Sequence, residues 1–369
     1  MWTTTHSACE WYRVIQPGRA MKMAGYPVEV VSVVTPPDQK SEMLFYADVI
    51  AMWRNLLPTT VELLRVCRNL QYPSMVVDID DDVFTVEPQS FHYRNWGLRE
   101  VKGLPVGDWI DGQTINLALN RRKWGWHKKA YRMADGLSVT TERLAETVRK
   151  YNKNVAVLPN CIETGVVTNY IQARSEDVRI CYQGDISHRG DIELLTKPME
   201  KCLSKYKNAT LIVCGDLWRV LAENLKAITR KCIEPHPEFV PIQAHFYRMM
   251  WLQPDMGLIP LIDTEFNRCK SSLKLYEFGA MGVPCVVSRV PPYTDDVPED
   301  AAIFVDNTPE AWEDGINRLA TNRDLRKRIG DNARDWVVAN RDSVRNAHLW
   351  WDFYNELYKA GRERQGLCA

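Results

Sequence analysis

The chain has no excess of either charge: 47 Lys and Arg stand against 47 Asp and Glu. Whole-molecule attraction to nucleic acid or to an anionic membrane is therefore excluded, and only a local patch could bind either. There is also no run of about 18 apolar residues, the length a helix needs to cross a bilayer. The opening MWTTTHSACEWYRV lacks a basic stretch leading into an apolar one, so it does not read as a signal peptide. Ten cysteines are present, but none forms a CxxC pair or clusters with histidine. Free thiols in a reducing cytoplasm are the expectation, with no metal site and no disulfide framework. None of the 19 glycines builds a GxGxxG fingerprint after a strand, which disfavours a dehydrogenase. No internal repeat or low-complexity segment interrupts the chain.

What is present is the composition of a soluble globular protein, 45% apolar and 25% charged. At about 150 residues per domain, 369 residues suggest two domains. Short apolar runs recur between amphipathic stretches. Strands are predicted at 27–34, 47–52, 74–79, 136–140 and 154–158, with helices at 58–70 and 141–151. The same alternation resumes after residue 175, with strands at 178–183, 209–214, 256–259, 284–288 and 302–305. Its helices fall at 191–206, 217–229, 272–281, 309–321 and 324–340. Strands alternating with helices imply parallel sheets covered on both faces. The expected layout is an α/β chain with domains at 1–165 and 175–342, followed by a helix and tail at 343–369. That last helix, HLWWDFYNELY, puts Leu349, Trp350, Phe353, Tyr354, Leu357 and Tyr358 on one apolar face. It must bury that face, either by crossing back to the first domain or by docking on its own.

The most informative segment is FNRCKSSLKLYEFGAMGVPCVVS, residues 266–288. A loop carrying Asn267, Arg268 and Lys270 runs into Ser271 and Ser272, both good N-cap residues, and then into a helix that ends at Gly282. A helix start offers unpaired N–H groups and partial positive charge to an anion, and Lys270 and Lys274 add full charges. A diphosphate would fit there. Glu277, further along the helix, could accept hydrogen bonds from the vicinal hydroxyls of a ribose. An ordinarily capped surface helix is the competing interpretation.

LYEFGAMGVPCVVS resembles the donor-binding helix and following strand of the group 1, family four, retaining glycosyltransferases of GT-B fold. FNRCKS is similar to the FNxxKS variant of bacterial and bacteriophage members. YRVIQPGRAM, VVDIDDDVF, ADGLSVTTERLA, VLPNCIE and YQGDISHRGDIELL extend the resemblance over nearly the whole chain. It implies two facing Rossmann-like domains, with a nucleotide-sugar on the second and the acceptor on the first. By the same resemblance Glu277 binds the donor ribose, and the amides of Lys270, Ser271, Ser272 and Leu273 cradle diphosphate and sugar. Gly184, His188 and Arg189 form a phosphate-facing loop. The family's other glutamate falls at Cys269, a departure that puts its contact to the transferred sugar in question; Glu265 is the nearby substitute.

In the first domain Asp78, Asp80, Asp81 and Asp82 gather at the carboxyl end of a predicted strand, where ligands of open α/β sheets collect. A DxD site for magnesium or manganese is one interpretation. The resemblance favours the other, in which helix dipole and basic side chains replace the metal and no cofactor is required. Asp81 and Asp82 then position hydroxyls or take the attacking hydroxyl's proton, and Asp80 is a cleft or core acceptor. Ser7 to Arg13 stand where the family carries a glycine-bearing loop, here without the glycines, and Arg13 is a candidate phosphate contact. Arg54, at another strand end, is a candidate cleft residue or a surface salt-bridge partner.

RRKWGWHKKAYR, residues 121–132, holds six cations, no acid, and interleaved aromatics. Trp124 and Lys128 could hold DNA by stacking and charge; an amphipathic helix with buried aromatics is the plainer alternative. The resulting expectation is a cytoplasmic hexosyl- or pentosyltransferase using a UDP- or GDP-sugar. Its acceptor hydroxyl would lie on a glycan, lipid, protein or hydroxymethylated phage DNA base. A nucleotide-sugar epimerase or hydrolase is one alternative, and a non-catalytic sugar- or nucleic-acid-binding module on the same scaffold is another.

Overall fold

The computed structural model describes residues 7–31, 45–54, 57–88, 90–99, 116–167, 177–238 and 240–366, with Met1, Gln39, Glu42 and Met43. Two parallel sheets organise them. The first has strands β1 (Val49–Trp53), β2 (Ser74–Ile79), β3 (Gly136–Val139) and β4 (Val155–Val157) in the order β1-β2-β3-β4. The second has β5 (Val178–Gln183), β6 (Ala209–Cys214), β7 (Ile233–His236), β8 (Met256–Ile259), β9 (Cys285–Ser288) and β10 (Ile303–Val305), in the order β10-β9-β8-β5-β6-β7. This is the expected α/β architecture of two Rossmann-like units.

Alternation along each strand explains why both faces are covered. In β5, Ile180 and Tyr182 join one buried cluster while Cys181 joins the other. Helices seal these faces. On the first unit they include α1 (Gln16–Met23), α2 (Pro58–Leu70), α3 (Leu117–Met133) and α4 (Glu142–Val148). On the second they include α5 (Arg189–Glu193), α6 (Thr196–Lys205), α7 (Trp218–Asn224), α8 (Ile242–Leu252), α9 (Leu273–Ala280), α10 (Pro309–Thr321) and α11 (Arg323–Asn340).

Several expectations change. Residues 27–30 form no regular strand and Val31 makes one bridge, while 32–34 lie outside the described residues. The helix expected over 191–206 is broken into α5 and α6, and that over 217–229 into α7 and a short turn at Ala227–Arg230, interrupted where Leu225 is extended. Strand β7, IEPH, escaped notice because it is a half-exposed edge with Pro235 in it and little apolar alternation.

The final helix, α12 (Ala347–Arg364), crosses back to the first unit. Arg341 accepts from Ile162 N, and Ile162 in turn accepts from Ser343 N, so the chain returns along the 158–164 connection. Trp350, Phe353, Tyr354 and Leu357 then pack with Ala20, Met21, Ala51 and Val76. Close approach requires small partners: a Cβ on Gly136 would stand 2.7 Å from the Phe353 ring. The second unit thereby depends on the first for the burial of its last helix. Truncating Phe353 to Ala should lower the unfolding free energy by about 3–5 kcal/mol. Denaturant unfolding measures this, and a loss below about 1 kcal/mol would show that α12 is only loosely docked.

Candidate active site in the interdomain cleft

Both sheets present their carboxyl ends to the same gap, and side chains meet across it. Thr141 Oγ1 donates to the Cys269 carbonyl (2.9 Å), Asn160 Nδ2 donates to Ser271 Oγ (2.8 Å), and Lys270 Nζ stands 3.4 Å from Asp81 Oδ1. Sequence reasoning separates Asp81 and Lys270 by 189 residues; the fold makes them neighbours.

The second unit supplies a cationic helix start. Ser272 occupies the N-cap of α9, but its side chain caps nothing in the helix, because its hydroxyl donates to the Pro292 carbonyl instead. The first turn of α9 is left with amides for an incoming acceptor. Beyond the helix, Gly282 at φ +69° closes the turn, with Val283 N donating to Phe278 O (3.0 Å). Lys270 lies over the Phe266 ring at 4.7 Å and Lys274 over Tyr182 at 5.7 Å. Burial lowers the Lys270 pKa, but Asp81 and other acids outweigh this and raise it, so the ammonium stays charged. Burial brings Lys274 down to about 8 despite Asp191 and Asp185.

The facing wall comes from the turn after β2. Burial would raise the Asp81 carboxyl, but Lys270, Arg54 and His92 bring it down to about 2. With Lys270 and Arg54 beside it Asp81 is held as a carboxylate, which suits the positioning of hydroxyls. Asp82 leaves the wall altogether: it is buried, and its Oδ1 accepts from Phe84 N (3.1 Å) to cap its own turn. Asp80 accepts from Arg54 Nε at 2.5 Å, and Arg54 Nη2 reaches Asp81 at 3.0 Å. Arg54 therefore lies in the cleft wall as a clamp on both carboxylates, not on the surface.

Arg13 is corrected as well. Its guanidinium is buried, bidentate to Asp78 (2.8 Å twice), and donates to the Leu158 carbonyl and Asn160 Oδ1. Four of its five N–H groups are engaged inside the first unit and the residue is buried, so it pins the π-helical turn Trp11–Ile15 to the sheet and does not face the cleft. That turn replaces the glycine loop of the resemblance. With Asp78 and Asp80 both held by arginines, neither DxD reading retains two available carboxylates. Among the described residues, no group of three or more His, Cys, Asp or Glu side chains could hold a metal ion.

The loop after β5 places Gly184 against Gly215, whose Cβ would sit 2.2 Å from the Gly184 carbonyl. His188 Nδ1 is 2.7 Å from Asp191 Oδ2, and burial with Lys274 nearby lowers its pKa. Arg189 Nε pairs with Glu193 of its own helix at 3.4 Å. Cys269 is buried in the apolar cluster of the first unit, so it offers the cleft only a backbone carbonyl, and Glu265 is exposed on the short helix 265–268. Glu277 is buried, and its two oxygens accept from Tyr12 O–H (2.6 Å) and Gln183 Nε2 (2.5 Å).

Two cleft residues are not singled out by the sequence. Tyr12, within the Ser7 to Arg13 segment, reaches Glu277 from 265 positions away, and nothing in its local pattern signals this contact. His92 sits beside Phe266, ring centroids 5.8 Å apart. Burial and Lys270 lower its pKa to about 4 against the pull of Asp81, so it is neutral at pH 7. In FHYRNW it looks like one more polar residue in an aromatic stretch.

The 121–132 segment lies in α3 with its aromatics turned inward. Trp124 donates to the Trp96 carbonyl and packs edge-on against Phe84, with Lys128 over the indole at 4.9 Å. Tyr131 is fully buried and Trp126 lines the same core. No row of stacking platforms remains for DNA. A surface cavity of about 490 Å³ lies at the amino end of the first sheet, lined by Arg68, Arg132, Asp135, Lys153 and Arg364 among others, away from the cleft.

With this geometry in place, residues 271–336 match the family model described as Glycosyl transferases group 1. A comparison with curated proteins found no match. Among solved structures, sucrose-phosphate synthase from Thermosynechococcus elongatus superposes with a TM-score of 0.62 at 13% identity, covering 94% of this chain and 92% of that one. Anabaena Alr3699/HepE in complex with UDP and glucose gives 0.62 at 10%, covering 95% and 97%. TarM gives 0.57 at 11%; 83% of this chain is covered, but the chain spans about half of TarM's length (54%). These likenesses establish the fold as GT-B. The family match adds support for glycosyl transfer over the segment that carries α9.

Burial lowers the pKa of His92, His127 and His245 to about 4, below the 6.5 of an unfolded histidine. The unfolded chain therefore binds more protons between pH 6.5 and 4, and stability falls as pH drops through that window. Each histidine should contribute about 1–2 kcal/mol to the loss between pH 7 and 5. Buried Asp78, Asp82 and Glu277, whose pKa burial raises, act in the opposite sense, so chemical denaturation at the two pH values is compared between wild type and His127→Phe; a pH dependence identical in the two would contradict the buried, neutral assignment of His127.

Proposed function

We propose that the protein is a retaining glycosyltransferase that moves a sugar from a UDP- or GDP-sugar to a hydroxyl acceptor in the interdomain cleft. The observation that carries this is the uncapped start of α9, flanked by Lys270 and Lys274 and facing Asp81 across the gap. Diphosphate oxygens suit that start, and the lysines add the charge that the helix dipole, about 0.3–1 kcal/mol, does not provide. Glu277 accepts from the donor ribose. The amides of Ser271, Ser272 and Leu273 hold diphosphate and sugar. Gly184 gives the backbone close approach, with His188 behind the phosphates.

In the reaction the bond from anomeric carbon to diphosphate oxygen breaks and the acceptor oxygen takes its place. Charge grows on the departing diphosphate, where Lys270, Arg189 and the α9 amides stabilise it. Asp81 orients hydroxyls and holds Lys270 before donor arrives; the acceptor's proton leaves on the departing diphosphate oxygen, because His92, neutral beside Asp81, has too low a pKa to keep it. The lysine must leave Asp81 to grip the diphosphate, so donor binding and loosening of this ion pair are one event.

Incubation with UDP- and GDP-sugars should raise the melting temperature, since a ligand of the native state stabilises it. Donor alone should release little nucleotide, whereas a hydrolase would release it freely. Lys270→Ala should cut transfer about 100-fold or more with a smaller effect on folding. Full activity in that variant would overturn the role given to the lysine.

A further inference from the structure

Behind Glu277 runs a hydrogen-bond chain, buried at Gln183 and His245 and reaching the surface at Arg248, that the reaction scheme does not use. Gln183, last residue of β5, donates from Nε2 to Glu277 Oε2 at 2.5 Å. Its Oε1 lies 2.7 Å from His245 Nε2, and His245 Nδ1 lies 3.0 Å from Arg248 Nη2. Arg248 is further tied by Nη1 to the Glu238 carbonyl at 2.9 Å.

The direction of every bond follows from the arginine. Guanidinium N–H groups only donate, so His245 Nδ1 must accept and its proton must sit on Nε2. Nε2–H then donates to Gln183 Oε1, which leaves the amide nitrogen facing Glu277. A second proton on the imidazole would set two donors against each other at Arg248. Burial, with Arg248 adding to it, places the His245 pKa at about 4, in agreement. Tyr12 O–H donates to the other carboxylate oxygen at 2.6 Å. Glu277 is thereby surrounded by donors and kept as an acceptor.

We propose that His245 and Arg248 are positioning residues that act through Gln183 to hold Glu277 as the hydrogen-bond acceptor for the ribose diol of the nucleotide donor. The inference rests on the ribose role of Glu277 proposed above. Without His245, Gln183 Oε1 loses the donor that anchors it from behind, and the amide no longer fixes the orientation of the Glu277 carboxylate. The phosphate grip at Lys270 belongs to a different loop and is not touched by this change.

That separation defines the experiment. Dissociation constants of the full chain are measured by calorimetry for UDP and GDP and for their 2′,3′-dideoxyribose analogues, in wild type, His245→Phe, His245→Gln and Gln183→Glu. Wild type should prefer the ribose form of its nucleotide by about tenfold or more, the value of a hydrogen bond to a charged acceptor. In His245→Phe this preference should collapse to about twofold, while binding of the dideoxy form stays as in wild type; in Gln183→Glu, which places a second carboxylate beside Glu277, the ratio between the two forms should collapse likewise. His245→Gln, which keeps a donor for Gln183 Oε1, should restore part of the preference and guards against misfolding of the phenylalanine variant. A wild-type preference that survives unchanged in folded His245→Phe or Gln183→Glu overturns the relay and leaves the glycosyltransferase reading standing. Equal loss of both nucleotide forms shows a merely structural role and also overturns it. Wild type without any ribose preference, or without nucleotide binding, overturns the ribose role of Glu277 and the relay with it.

Discussion

Lys270 and Asp81 face each other across the domain gap, and each owes its charge state partly to the other. Burial alone would push both towards neutrality. Mutual attraction, reinforced on the acid side by Arg54, keeps the ammonium protonated and the carboxylate ionised. The rest of the cleft is arranged around this pair: α9 starts next to the lysine, His92 stands next to the acid, and the two sheets aim their carboxyl ends at the space between. A chain with no net charge has built a local field by placing one sign on each wall.

The same pairing closes the cleft. Asn160 to Ser271 and Thr141 to the Cys269 carbonyl add neutral contacts beside it, and Cys269 packs into the first unit's core. Tyr12 brings a hydroxyl to Glu277 in the position of a hydrogen-bond donor, as a sugar hydroxyl would. In the proposed reading a bound diphosphate takes the place of Asp81 at Lys270, and a ribose hydroxyl that of Tyr12 at Glu277. Helix α12 ties the two units together at the far end.

Much of this was legible in the chain itself. The runs SMVVDI, VRICYQ and ATLIVC are strands with the bounds their apolar content suggests, because a strand buried on both faces needs continuous apolar residues. The α9 start was visible through Ser272 and the flanking lysines, which are local signals. What escaped depends on distance in the sequence. Arg13 reads as an available cation until Asp78, 65 residues away, is seen to take its fork. Asp82 looks equivalent to Asp81, yet one caps a turn and the other faces Lys270, a difference set by backbone direction after β2. Tyr12, His92 and the Gln183–His245–Arg248 chain carry no local pattern at all. They acquire meaning only when the fold brings them to the cleft.

A crystal structure of the protein with bound UDP or GDP would examine the central assignment most directly. The account predicts the two phosphoryl groups against the main-chain amides at the start of α9, with Lys270 turned from Asp81 onto a phosphate oxygen and the ribose hydroxyls on Glu277. A diphosphate seated instead among Arg68, Arg132, Lys153 and Arg364, at the opposite end of the first sheet, with the Lys270–Asp81 pair intact, would contradict it.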